Sequence, residues 1–270
     1  MKKEFKFLYF APYLLWLLLF VIAPVALIFY YSFFNVNHQF TLNNYITFFT
    51  SGTYLTMTAN SVWFAFLITA MTLLISYPMA YFITKLKYRN LWILLVILPT
   101  WINLLLKAYA FIGLFSHNGL VNQIFNFFGI PAQQLLFTNT SFILVAAYIQ
   151  IPFMVLPIYN SLLEINPSLV QASKDLGATS WQTFKKIIIP LSIPGIKSGV
   201  QIVFIPSLSL FMLSRLIGGN KIITLGTAVE EHFLTTMNWG MGSTIGVVLI
   251  ISMFIVTILT HTSKKRRVAK

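Results

Sequence analysis

Little in this sequence is equipped for covalent chemistry. The acids are Glu4, Glu164, Asp175, Glu230 and Glu231, the histidines are His38, His117, His232 and His261, and there is no cysteine. Disulfides, thiolate metal sites and a cysteine nucleophile are therefore excluded. The histidines are scattered, with no His-Glu-x-x-His pair that would hold a metal on one helix face. No glycine-rich loop runs into Lys-Ser or Lys-Thr, the arrangement that cradles nucleotide phosphates. The charges with most to explain stand beside apolar runs, where an unpaired charge is costly. Arg215 ends one such run. Either it pairs with Glu230 or Glu231 as an outer gate, or it snorkels to water while the two acids sit in a solvated loop. Lys107 lies in the outer half of another run, where it either reaches headgroups or holds a carbonyl or gate. Phe211, Met212 and Trp239 are candidates to line an entrance, against ordinary packing or lipid-facing roles.

The elements around these residues are read from composition. Hydrophobic residues make up 58% of the chain and charged residues 9%, where a soluble domain carries about 25% charged residues. Between Lys6 and Lys85 there is no Asp, Glu, Lys or Arg at all. A helix needs roughly 20 apolar residues to cross a bilayer. Six segments qualify: Phe7 to Tyr31, Asn60 to Thr84, Leu91 to Phe115, Ser141 to Leu163, Ile196 to Ile217 and Ser243 to His261. Long runs without alternation favour helices over barrel strands. The first run is longer than a signal core and ends in bulky Phe29, Tyr30 and Tyr31, so it reads as a retained span. The expected fold is an all-α membrane protein, a single transmembrane domain over residues 1–270.

Orientation is set by the basic residues. Lys2, Lys3 and Lys6 precede the first span. Lys85, Lys87 and Arg89 separate the second and third, and Lys174, Lys185, Lys186 and Lys197 the fourth and fifth. Lys264, Lys265, Arg266, Arg267 and Lys270 come after the sixth. All but Lys107, Arg215 and Lys221 of the 18 basic residues thus lie on one face. That places both termini in the cytoplasm. The net charge of +13 is thereby distributed around spans, so a nucleic-acid partner is not expected, and the basic tail is expected near anionic lipid.

The segment from about 164 to 195 is the polar exception on that face. Asn166-Pro167-Ser168 reads as a helix start, with Leu169, Ala172, Ser173 and Leu176 at helical spacing. Gly177 permits a left-handed turn. Thr179 or Ser180 caps a second short helix, whose apolar face is Trp181, Phe184, Ile187 and Ile188, and Pro190 is expected to end it. Such a helix–Gly–helix either seats in a soluble partner and transmits its motion, or lies in the membrane interface without a partner.

At these residues the sequence resembles the permeases of ABC importers. Their signature reads Glu-Ala-Ala, three residues, Gly, nine residues, Ile-x-Leu-Pro. This chain has Gln171-Ala172-Ser173, Gly177 and Ile187-Ile188-Ile189-Pro190, with Asp175 and Ala178 also in familiar places. Gln171 replaces the usual Glu and Ile189 the usual Leu. The likeness extends to permeases of the spermidine/putrescine type through Thr41-Leu42-Asn43-Asn44-Tyr45, Asn60-Ser61, Tyr77-Pro78, Pro152-Phe153-Met154 and Leu216-Ile217-Gly218-Gly219.

The resemblance implies the type I ABC importer permease fold in a bacterial plasma (inner) membrane. It also implies assembly with an ABC ATPase dimer, a second homologous permease and an extracytoplasmic binding protein. Gln171, Ala172, Ser173, Asp175, Gly177, Ala178 and Pro190 would couple to the ATPase. ATP and Mg would belong to that partner, and this chain would be non-catalytic and hold no cofactor. The implied cargo is a polyamine, with an anion or metal chelate as the rival. A membrane-embedded enzyme lacks its motifs here, and a stand-alone channel or carrier is the further alternative.

Overall fold

A computed structural model describes residues 3–219 and 221–260, with side chains from Phe10 onward. The basic residues at Lys2 and Lys264–Lys270 lie outside the described residues. In chain order the helices begin with α1 (Lys3–Leu17), α2 (Ala23–Ser32), α3 (Asn43–Thr50), α4 (Gly52–Lys85) and α5 (Arg89–Ile97). Then come α6 (Leu104–Phe115), α7 (Leu120–Phe127), α8 (Asn139–Leu163) and α9 (Pro167–Asp175). The chain closes with α10 (Ser180–Thr183), α11 (Ile189–Ser207), α12 (Phe211–Gly218), α13 (Leu225–Leu234) and α14 (Trp239–Thr260).

Six stretches are long and apolar enough to cross a bilayer: Phe10–Ser32, Gly52–Lys85, Leu104–Phe127, Asn139–Leu163, Ser180–Ser207 and Trp239–Thr260. Two differ from the expected spans. The run Leu91–Phe115 is not one helix. α5 passes into a 3-10 turn at Leu98–Trp101, Ile102 is extended, and Asn103 starts α6 by accepting the Leu105 N–H at 2.8 Å. Pro99 removes a helix donor, and Asn103 supplies a cap that makes a restart favourable. The run Ile196–Ile217 is also divided. α11 stops at Ser207, one residue beyond Pro206, and α12 begins only at Phe211.

Two other prolines are absorbed without a break. Pro24 and Pro190 each take the second position of a helix directly preceded by a π-turn, at Leu18–Ile22 and Phe184–Ile188. A proline inside a helix clashes with the carbonyl four residues back, and the wider turn relieves that crowding. Pro190 therefore does not end the second arm of the helix–Gly–helix, as expected from sequence. The arm runs on through α10 and the π-turn into α11.

The centre of the molecule is α8, which packs along α4 on one side and α11 on the other. Close approach needs small residues. A Cβ on Gly195 of α11 would stand 2.4 Å from the Ser161 Cβ and 2.5 Å from the Pro157 carbonyl of α8. Buried Thr69, Thr72, Ser207 and Thr244 return their hydroxyls to carbonyls four residues back, so these groups are met within their own helices. By contrast, every described side chain from Phe10 to Ile22 is exposed or half-buried. We expect Gly195→Ala to lower the stability of the purified chain by about 1–3 kcal/mol through overpacking. Gly113→Ala, where a Cβ meets nothing within 4 Å, should be neutral or slightly stabilising in the same thermal unfolding measurement in detergent.

Candidate functional site

The helix–Gly–helix forms an elbow between α8 and α11. Asn166 accepts the Ser168 N–H at 3.0 Å, and Pro167, which has no N–H to satisfy, opens α9. At the other end Gly177 has φ +81°, which a side chain would resist. The Ala178 N–H reaches the Ser173 carbonyl at 3.1 Å and the Gly177 N–H reaches Lys174 at 2.8 Å, closing the helix. Thr179 then caps the second arm: its hydroxyl accepts the Gln182 N–H at 3.3 Å while Gln182 accepts the Thr179 N–H at 2.9 Å.

Across the bend the hydroxyls of Ser173 and Thr183 lie 2.8 Å apart, and both residues are buried. The two arms are thereby pinned to each other. Gln171, Ala172, Asp175 and Gly177 face outward, with Gln171 donating to Asp175 at 3.2 Å. Ala178 is half-buried, and Pro190 is exposed on the continuing helix. The bend also presents apolar surface to the outside, since Leu176 is 89% and Trp181 67% exposed.

The second arm is held against α4 by aromatic contacts. Phe184 meets Trp181, Tyr81 and Tyr77 with centroid distances of 5.7, 5.0 and 5.9 Å. About two turns further along the arm, the Tyr77 and Ser192 hydroxyls lie 2.9 Å apart. The arm thus joins span 2 and span 5 at once.

At the far end of α11, across the membrane from the elbow, the second group of residues converges. Glu230 and Glu231 do not lie in a loop, as expected, but on α13. Thr224 and Thr227 form a reciprocal cap at its start, and the Leu225 N–H donates to Ser61 of α4 at 2.8 Å. This fixes α13 so that Glu230 Oε2 lies 3.1 Å from Arg215 Nε on α12. That oxygen is buried and has no aligned hydrogen-bond donor, so the contact is an ion pair by proximity alone. Of the two readings of Arg215, pairing is the one observed.

Glu231 turns away from this pair. With His232, Tyr54 and Ser51 it lines a separate cavity of about 310 Å³. His232 Nε2 is 2.9 Å from the Tyr54 hydroxyl. Burial holds the imidazole below its usual range, opposed by the Glu231 carboxylate. Phe211 and Met212 occupy the first turn of the helix that carries Arg215, exposed and half-buried respectively. Lys107 is half-buried on α6, which packs on α12. Trp239 packs edge-on against Tyr31 and Phe233, so packing is the reading of it that the geometry favours.

A family described as binding-protein-dependent transport system inner membrane component matches residues 36–268. The chain belongs to this family. It is 36% identical over 248 residues to the spermidine/putrescine transport system permease protein PotB of Escherichia coli K12, covering 88% of this chain and 90% of that one. The Haemophilus influenzae protein of the same description is 31% identical over 260 residues, covering 93% and 91%. The fold matches a chain of a bacterial ABC transporter involved in the import of the acidic polysaccharide alginate. The TM-score is 0.77 and the identity 20%, over 99% of this chain and 98% of that one. A chain of the MetNI methionine ABC transporter in an inward-facing conformation gives a TM-score of 0.58 at 17% identity, over 76% and 92%. The chain is an inner-membrane transport component with the type I ABC importer permease fold, as the elbow motif led one to expect.

Several residues of these sites escaped sequence reading. Ser173 stands where the resembling permeases have Ala, and that hydroxyl was the available signal for its bond to Thr183. Ser61 and Tyr77 were read only as part of the family likeness, and their contacts with Leu225 and Ser192 carried no signal, because each acts across more than a hundred residues of chain.

Two double-mutant cycles test these contacts. Ser173→Ala and Thr183→Val, singly and together, should show a coupling of about 1 kcal/mol in thermal unfolding; additive losses would mean that the hydroxyls do not bond. Arg215→Glu and Glu230→Arg should each destabilise the chain, and the double reversal should restore most of the loss.

Proposed function

We propose that this chain is the permease subunit of an ATP-driven importer for polyamines. It would form half of the translocation path, with a second homologous permease forming the other half. Family membership supports the transport role, and the names carried by the relatives PotB support the cargo. The observation that carries the mechanism is the elbow: a pinned, glycine-hinged bend with apolar Leu176 and Trp181 directed away from the protein. Apolar side chains so exposed beside a polar helix suit the groove of a soluble partner. An ATPase pair that binds ATP and Mg would grip Gln171 to Ala178 and move α11 and α4 together through Thr183 and Phe184.

In this reading the elbow, the helical ends beside it and both termini are cytoplasmic, in keeping with the basic residues. The binding protein would deliver cargo to the face of α12 and α13. A cationic cargo is compatible with Arg215 because Glu230 offsets that charge, while Glu231 and Tyr54 line a neighbouring cavity. The cavity offers a carboxylate and an aromatic face, the two groups that attract an ammonium.

The test is ATP-driven uptake by the complete assembly in proteoliposomes. Spermidine or putrescine should be accumulated, and an anionic solute should not. Gly177→Pro should reduce uptake to background, since proline cannot adopt positive φ, while the permease still folds. Unchanged uptake in that variant would remove the elbow from the mechanism. Accumulation of the anion alone would remove the polyamine.

A further inference from the structure

A cationic cavity of about 370 Å³ opens at the elbow end of α4 and α5, sharing Gln171 with the surface assigned to the ATPase. Its polar wall carries Lys85, the last residue of α4, and Arg89, the first of α5. The same lining includes the apolar Leu162, Ile165, Val170 and Ile188. Gln171 of the elbow stands at its edge. Neither cation makes an ion pair among the described residues. Lys85 lies 5.4 Å over the Tyr81 ring, which leaves its ammonium directed but its charge uncompensated.

Two unpaired cations lining a cavity together with apolar side chains, at the ends of helices that meet the length of a bilayer span, are complementary to one chemistry. It is a phosphodiester anion attached to a hydrocarbon body. We propose that this cavity binds the headgroup of an anionic phospholipid. Lys85 and Arg89 take the phosphate, Arg89 with paired N–H donors, and the upper acyl segment covers the apolar side chains. Basic pockets between spans on the cytoplasmic side favour such headgroups. Because Val170 and Gln171 belong to α9, the bound lipid bridges the span 2–3 turn and the first arm of the elbow. The position of the elbow against α4 thereby depends on the charge of the surrounding membrane.

The neighbouring Lys87 provides an internal control. It lies over the Tyr88 ring, in the same turn as the other two cations, and does not line the cavity. General attraction to a charged surface would use all three residues alike. A cavity uses two.

The experiment places the full-length chain in nanodiscs of phosphatidylglycerol or of phosphatidylcholine and counts retained lipid by native mass spectrometry after detergent extraction. Wild type should retain phosphatidylglycerol roughly tenfold or more in preference to phosphatidylcholine, as expected for two cations near a surface. Lys85→Gln with Arg89→Gln should abolish the preference, and Lys87→Gln should keep it. Equal loss in Lys87→Gln would mean diffuse charge and overturn the proposal. A second arm adds inorganic phosphate at millimolar concentration. Release of the lipid by phosphate, with no preference between lipids, would assign the cavity to a soluble anion instead. A third arm measures capture of the partner ATPase. If the double variant loses that capture while its lipid preference is unchanged, the cations meet an acidic protein surface and the lipid site is overturned.

Discussion

A backbone amide inside the bilayer has no water to turn to, and the architecture of this chain stems from that requirement. Helices are the obvious answer, but prolines strain it at several points in the spans. Each is accommodated differently. Pro78, Pro152 and Pro157 sit inside unbroken helices. Pro24 and Pro190 sit behind π-turns. Pro99 and Pro206 accompany true breaks. Those breaks lie just before span 3 and just after span 5, and the second of them separates α12, with Arg215, from the long helix α11.

The same requirement explains why polar side chains are so tightly assigned. Many serines and threonines within the spans return their hydroxyls to their own helix, and a few reach across. Ser61 meets the first free N–H of α13, Tyr77 and Ser192 join spans 2 and 5, and Ser173 and Thr183 close the elbow. These crossings bind together elements that lipid alone would not drive together. The two arms of the elbow are tied to each other in this way, although its bend is exposed.

Legibility in the sequence divides along the range of the interaction. The spans were legible because their signal is a sum over twenty residues. The elbow was legible because its caps, Asn166, Gly177 and Thr179, act within three or four residues of themselves. The breaks were not. Proline alone does not decide between kink and interruption; the residues on its C-terminal side do. Asn103 offers a cap after Pro99, whereas Pro78 runs into Met79, Ala80 and Tyr81, which simply continue the helix. The pair of Arg215 and Glu230 was visible only as one of two options, because its choice depends on α13 being helical and anchored by a serine on another span. The hydroxyl pair at the elbow needed both arms in place before it could be seen.

The continuity of the second arm into span 5 carries a mechanical implication. From Ser180 to Ser207 the helix runs 28 residues, about 40 Å at the usual rise. A rod of that length pivoting at one end by roughly 5° sweeps its other end through about 3–4 Å. That end is the break at Leu208 to Leu210, next to the helix that bears Arg215. A rotation of about that size at one membrane surface would correspond to a displacement as long as the Arg215–Glu230 contact at the opposite surface, and the helices packed along α11, α8 above all, would have to yield to it.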